Sequence, residues 1–302
     1  MVIANNFDLQ IQSSASDGKY SPRELVKRAA DLKLKVIALT DHDTVSGLPE
    51  ALSAGEDYGV EVIGGIEISA TDATGEMHIL GFGVDHKNPA LLQALEEARK
   101  ARIGRAKEIV RRLQRAGFSI SYEDVLRYAT GFSVGRPHIA QAVLSNSENK
   151  KLLGEISDVG SFIRAYLTSG KETYISTEHI SVRSAISLIR QARGVAVWSH
   201  PALHFEDFDK LERALKKFID FGIEGIEVFN PAHTEVQIKF LNGLAAKYGI
   251  LRTAGSDFHT DEIKESNRGG GSELASFIAH GTDVSEIVPK LKEAIARIRQ
   301  EE

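Results

Sequence analysis

No cysteine occurs among the 302 residues. Disulfides, thiolate zinc ligands and a cysteine nucleophile are therefore excluded, and any metal has to be held by nitrogen and oxygen. No apolar run approaches the ~20 residues that span a bilayer, and the start of the chain lacks a charged-then-apolar leader pattern. No membrane partner and a cytoplasmic location are therefore expected. A P-loop, a dinucleotide glycine pattern and a Ser-His-Asp arrangement are also missing. So is an excess of positive charge: the net charge of −5 argues against a generic nucleic-acid coat, duplex DNA included. What remains is ordinary for a globular chain, 42% hydrophobic and 26% charged. Its length allows one large α/β domain or a barrel with an insertion.

What the chain does have is alternation. Short apolar runs at 8–12, 36–40, 60–63, 66–69 and 78–84 read as strands, with a helix at 48–58 stopped by Gly59. Ser21-Pro22 followed by Glu24 opens another helix with a capping serine and proline at its first position. After Asn88-Pro89 the signal becomes helical for some eighty residues, with a capping box at Ser121 and Asp124. Alternation then resumes with helices at 182–193, 209–221, 235–248 and 284–300 and strands at 195–199, 223–229 and 251–254. This pattern predicts parallel βα units in residues 1–87 and 173–302, interrupted by an inserted helical domain over 88–172.

Acids and histidines follow the apolar runs. Asp17, Asp41-His42, Glu67, His78, His200 and the Asp257-Phe258-His259 segment are the candidates. In a βα barrel the C-terminal strand ends converge on one face, so residues placed there can meet. Imidazole and carboxylate together suit zinc, iron, manganese and related divalent ions. Glu227 and Asn230 end another strand and are expected to line the same pocket. Trp198 is expected in the core, and His86, His179, His204, His233 and His280 match no ligand spacing and are read as surface or core histidines. Asn267 to Ser272 is a glycine-rich connector.

Arg99, Lys100, Arg102, Arg105, Lys107, Arg111, Arg112 and Arg115 make a basic helical stretch. It reads either as a solvated face or as a wall that attracts phosphate. In Gly135-Arg136-Pro137-His138, Arg136 offers a planar fork for phosphate oxygens and His138 a second donor. Pro137 predicts a helix start, whose free N–H groups favour an anion.

These stretches together resemble the PHP (polymerase and histidinol phosphatase) family of metal-dependent phosphoesterases over nearly the whole chain. The resemblance is carried by Ser16-Asp17-Gly18, Thr40-Asp41-His42-Asp43-Thr44, Gly65-Ile66-Glu67-Ile68, His78-Ile79-Leu80-Gly81, Gly135 to Ala140, Ser199-His200-Pro201 and Gly255 to His259. It is greatest to the branch that removes phosphate from nucleoside 3′,5′-bisphosphates and trims short RNA from the 5′ end. It implies an α/β fold, a distorted (β/α)7 TIM-like barrel with a helical cap domain, and up to three divalent ions (manganese, iron, zinc or magnesium). One ion would sit on the residues at 10 and 12 with Glu67 and Asp257. A second would use Glu67, His78 and His200, and a third Asp17, His42 and His259. A hydroxide on the ions, rather than a side chain, would be the nucleophile, and Arg136 and His138 would hold a substrate phosphate.

One departure stands out. Where the family shows His-x-His, this chain has Gln10-Ile11-Gln12. A carboxamide offers only a neutral oxygen or an NH2 donor, so that position is expected to bind an ion weakly, stay empty or hold a water. Two ions are expected in all. The expected function is a phosphoesterase acting on nucleotides or short oligoribonucleotides. The alternatives are a catalytically silent nucleotide- or RNA-end-binding protein and a histidinol-phosphate phosphatase.

Overall fold

The strand signals resolve, in a computed structural model that describes residues 5–129, 134–176, 179–261 and 273–300, into eight strands. These are β1 (Phe7–Ile11), β2 (Val36–Leu39), β3 (Glu61–Asp72), β4 (Gly75–Phe82), β5 (Ile180–Ser181), β6 (Val195–Trp198), β7 (Gly225–Phe229) and β8 (Leu251–Ala254). The fold is α/β with a mixed sheet. Its order is β1-β2-β3-β4-β6-β7-β8, and the short β5, which carries no clear strand pattern in the sequence, pairs with β3. A parallel bridge from Ile11 to Phe258, with Gln12 N–H donating to Phe258 O at 2.9 Å, returns the chain after β8 to β1. The outcome is the distorted barrel of seven principal strands that was expected.

Two details differ from the sequence reading. The runs at 60–63 and 66–69 form one strand, β3, because Gly65 fits a crowded point in the sheet. A Cβ there would lie 3.0 Å from Gly81 O and from Leu39 O. Next, β4 runs antiparallel to both β3 and β6. Only Ala73 and Thr74 separate β3 from β4, far too few residues for a crossover, so the two strands form a hairpin. The Asp72 side chain closes it, accepting Thr74 N–H at 2.7 Å.

Two compact units divide the chain: residues 1–94 with 179–302, and residues 95–178. In the barrel unit every residue of β1, β2, β6 and β7 is buried, as expected of strands covered on both faces. Trp198 is fully buried against Phe205 and Phe218, as expected of a core side chain. The helical unit has a core of its own, centred on Ile109, Leu113, Phe118, Val125, Ile139 and Phe162. The capping box predicted at Ser121 with Asp124 forms, and the capping serine predicted at Ser21 caps its helix as a box with Glu24. Among the described residues no helix is long and apolar enough to cross a membrane.

Candidate metal centre

Backbone register brings the candidate side chains together. Glu67 lies in the middle of β3, not at a strand end. It is reached because the chain after β2 pairs with β3 there: Glu67 N–H donates to Asp41 O at 3.2 Å and Asp43 N–H to Glu67 O at 2.9 Å. That bridge sets His42 beside Glu67. The antiparallel hairpin puts His78 opposite Ser69, and Ser199 N–H donates to His78 O at 3.1 Å. His78 and His200 are thus carried to the same point from different strands.

The resulting geometry is tight. His78 Nδ1 is 3.0 Å from Glu67 Oε1, His200 Nε2 is 3.1 Å from the same oxygen, and the two nitrogens are 3.3 Å apart. Ligands held about 2.0–2.1 Å from a tetrahedral ion are about 3.3 Å from one another, so this triangle has the dimensions of one coordination sphere. A second cluster joins Asp17, His42 and His259, whose nearest ligand atoms all lie within 4.8 Å of each other; His259 Nε2 is 3.6 Å from Asp17 Oδ1. His42 Nε2 is 3.7 Å from Glu67 Oε2, so Glu67 borders both clusters. Two clusters of imidazole and carboxylate therefore fit divalent metal ions.

Electrostatics follow from this crowding. Burial alone would push the Glu67 carboxyl up, but His42, His200 and His78 outweigh it and hold it well below the usual range. The same attraction, opposed by burial, raises His78 to about 10. His259 rises to about 9 against burial, because Asp257 and Asp17 flank it. In turn, His42 and His259 overcome burial and lower Asp17. Asp257 goes the other way, raised by burial, and its Oδ1 has no hydrogen-bond partner among the described residues. Asp43, His200 and Asp257 each adopt positive φ, at 52°, 27° and 52°. Backbone conformations of this kind are disfavoured for residues with a Cβ and gather where function constrains the chain.

Gln10 and Gln12 occupy the other side of Glu67. Both side chains are fully buried and both present NH2 to the same oxygen: Gln10 Nε2 lies 3.1 Å and Gln12 Nε2 2.7 Å from Glu67 Oε2. Gln10 Nε2 also donates to Ser199 Oγ at 3.0 Å, and Ser199 Oγ donates to Glu67 Oε1 at 3.0 Å. Gln10 Oε1 accepts from Asn230 at 3.5 Å, while Ser16 Oγ lies 3.5 Å from Gln12 Oε1 but gives its proton to Asp41 at 2.6 Å. To offer oxygen to a cation both carboxamides would have to turn over. That would aim oxygen at a carboxylate and, for Gln10, NH2 at the NH2 of Asn230. The residues at 10 and 12 do not fit an ion; they fit a neutral hydrogen-bond network.

A supporting layer holds the loops. Asp41 accepts from Ser13 N–H, Ser13 Oγ and Ser16 Oγ at 2.6–2.7 Å, pinning the turn that presents Asp17. Gly18 completes that turn, since a Cβ there would lie 2.1 Å from Gln12 O. Asp8 ties β1 to the segment after β8 through Ser256 N–H and Oγ. Glu227 Oε2 accepts from His200 N–H at 2.8 Å and from Asn230 at 3.1 Å, and burial pushes the Glu227 carboxyl well up.

Two histidines read as surface or core residues prove to be near the clusters. His204 packs tilted against His200 and edge-on to His78, and burial lowers it to about 3. His179 Nε2 is 3.4 Å from Glu76 Oε1, which is itself 3.8 Å from His78 Nε2. The spacing of His204, four residues after His200, was the available signal for the first. Ser199, next to His200, was also passed over.

In the helical unit the helix Arg136–Ser145 starts where Pro137 predicted. His138 Nδ1 accepts Gly135 N–H at 3.1 Å, acting as a cap, and an Arg136 Nη1 donates to Leu167 O at 3.4 Å. Much of the basic stretch is engaged locally: Arg99 and Lys100 with Glu96, Arg111 and Arg112 with Glu108, Arg105 with Ile175 O. The glycine-rich segment 267–272 lies outside the described residues.

Comparison with known proteins agrees with this architecture. The PHP domain matches residues 8–228. A 3′,5′-nucleoside bisphosphate phosphatase of Chromobacterium violaceum is 32% identical over 255 residues, covering 84% of this chain and 87% of its own. A 5′-3′ exoribonuclease of Haemophilus influenzae is 32% identical over 257 residues, covering 85% and 91%. Among solved structures, a candidate metal-dependent phosphoesterase of Bifidobacterium adolescentis superposes with a TM-score of 0.77 at 28% identity, covering 97% of this chain and 98% of that one.

Proposed function

The chain belongs to the PHP domain family, and from that premise we propose that it hydrolyses phosphate esters of nucleotides: the 3′-phosphate of nucleoside 3′,5′-bisphosphates, or the 5′-terminal residues of short RNA. The coarser statement, a metal-dependent phosphoesterase related to nucleotide and RNA-end hydrolases, is its premise. The observation that carries the proposal is the pair of ion-sized clusters sharing Glu67. Glu67, His78 and His200 would hold one ion, and Asp17, His42 and His259 the other. Ions bound there would acidify water for in-line attack and neutralise charge on the phosphoryl oxygens. The chain's own contribution is to fix their spacing: Glu67 orients both sets, and Asp41 and Asp43 lock the loops that carry Asp17 and His42. Asp257 is left as a buried carboxylate beside His259, 3.8 Å from its Nδ1, and is proposed to orient that ring. Arg136 and His138 are proposed to hold a phosphate of the substrate, a role that rests on the sequence resemblance alone.

A second reading, a silent binder of nucleotides or RNA ends, is favoured by one observation: Gln10 and Gln12 fill a position where the resemblance puts metal ligands, and they are hydrogen-bonded to Glu67. One assay separates the readings. Manganese-loaded protein is offered adenosine 3′,5′-bisphosphate, a 5′-phosphorylated RNA trimer and histidinol phosphate, and phosphate or nucleotide release is followed alongside binding. Release from the first or second substrate is expected. Binding of either without release would replace the hydrolase by the silent binder, and release from histidinol phosphate alone would assign the other substrate class.

A further inference from the structure

Two imidazoles, His78 and His200, meet the oxygen Oε1 of Glu67, and a third, His204, packs against both of them. Ring centroids are 5.1 Å apart for His78 and His200, 5.3 Å for His200 and His204, and 6.1 Å for His78 and His204. Imidazoles that share an ion at about 2.0–2.1 Å per nitrogen have centroids about 5 Å apart at near-tetrahedral angles, so the triangle is close to that of a three-histidine site. Local structure explains how His204 arrives there. Pro201–Leu203 is a single 3-10 turn in which His204 N–H donates to Pro201 O at 3.2 Å, turning the chain back beside His200. The His204 Nε2 atom is buried and has no hydrogen-bond partner among the described residues. Buried polar atoms are nearly always paired, and an unpaired imidazole nitrogen next to two candidate ligands calls for a partner that is not a protein donor.

We propose that His204 is a further ligand of the ion held by Glu67, His78 and His200. This rests on the reading above only in needing that ion to bind. The ligand set is then one carboxylate oxygen and three imidazole nitrogens. Four protein ligands would leave a tetrahedral ion no open position, so Glu67, His78, His200 and His204 would hold one ion fast, and Asp17, His42 and His259 would hold the ion that exchanges and meets the substrate. The chain has Gln10 and Gln12 where the resemblance puts imidazoles, and carries an imidazole, His204, on the turn after β6.

Because the chain has no cysteine, a thiol introduced at 204 reports on the ion without background. Wild type, H204C and H204Q are loaded with Co2+, and visible and near-ultraviolet absorption and Co2+ retention against a chelator are recorded, with melting temperature as the folding control. H204C is expected to show a thiolate-to-cobalt charge-transfer band. H204Q is expected to lose one of two ions about tenfold faster than wild type while retaining the other. Co2+ bound in H204C without that band, or unchanged retention in H204Q, overturns the proposal and leaves the phosphoesterase reading standing. No Co2+ uptake by wild type overturns both.

Discussion

The two sides of Glu67 are built on opposite principles. On the β1 side Oε2 meets two carboxamides whose nitrogens both donate to it, with Gln10 Oε1 in turn accepting from Asn230. On the β4 and β6 side Oε1 meets imidazoles packed 3.0–3.3 Å together, with His200 Nδ1 and His204 Nε2 left unpaired among the described residues. Gln10 and Gln12 are fully buried while His78 and His204 are partly exposed, a difference of degree that does not by itself explain the contrast. Satisfaction does. A buried network whose members all pair is finished as it stands, whereas buried nitrogens without partners mark where an ion belongs.

The strongest way to break that contrast is to remove the group common to both sides. E67Q is expected to release both ions and to lower phosphate release by about a thousandfold or more, since ions supply several kcal/mol of transition-state stabilisation. Elemental analysis and the adenosine 3′,5′-bisphosphate assay check it; two ions retained with activity intact would show that Glu67 does not organise the site. The next largest change rebuilds the satisfied side in the image of the other. Q10H/Q12H should raise the metal content from two ions to three per chain and phosphate release by about tenfold to a hundredfold. Were the double variant to gain neither ion nor rate, the glutamines would have to be read as ordinary core residues.

Much of this contrast could be foreseen from the chain, and the rest could not, for reasons tied to distance along it. Asp17, His42, Glu67, His78 and His200 stood out because ligand chemistry restricts residue type and strand patterns flanked them. The caps at Ser21 and Ser121 were legible because capping is local. The hairpin position of His78 was not, since strand direction depended on the two-residue link after Asp72. His204 was hidden because its approach to His78 depends on a 3-10 turn, and Ser199 because its partners, Gln10 and Glu67, are 189 and 132 residues away. In the basic stretch Arg99, Arg111 and Arg112 are answered by Glu96 and Glu108 on the same helix, in line with the solvated-face reading.

A smaller effect sharpens the contrast through pH. Glu67 is held low by imidazoles, but Asp8, equally buried on β1, has no cation among its named partners. Burial raises it from its ordinary 3.8 to about 6 despite N–H donors from Ser256, Ala275 and Gln10 and the Ser256 hydroxyl. A folded-state value above the unfolded one means that the folded chain binds the proton more tightly. Asp8 therefore stabilises the fold fully below pH 3.8, and that contribution, about 3 kcal/mol, is lost as pH rises to about 6. D8N removes this titration, so the difference in unfolding free energy between D8N and wild type should drift in favour of D8N from pH 4 to pH 6 and stay level above it. A constant difference across that range would mean that Asp8 is ionised throughout, as Glu67 is.

The smallest expected change is the most local. Ser199 Oγ touches both sides, accepting from Gln10 Nε2 and donating to Glu67 Oε1, each at 3.0 Å. S199A deletes it without altering a candidate ligand. Gln10 Nε2 keeps Glu67 Oε2 as acceptor for one N–H but loses the Ser199 oxygen for the other, so the cost should be about 1–3 kcal/mol of unfolding free energy. Co2+ content should stay at two ions, because Glu67 Oε1 keeps His78 and His200 beside it. If S199A instead lost an ion, the hydroxyl would be holding the Glu67 carboxylate in its ligating orientation, and the two sides would be coupled rather than merely adjacent.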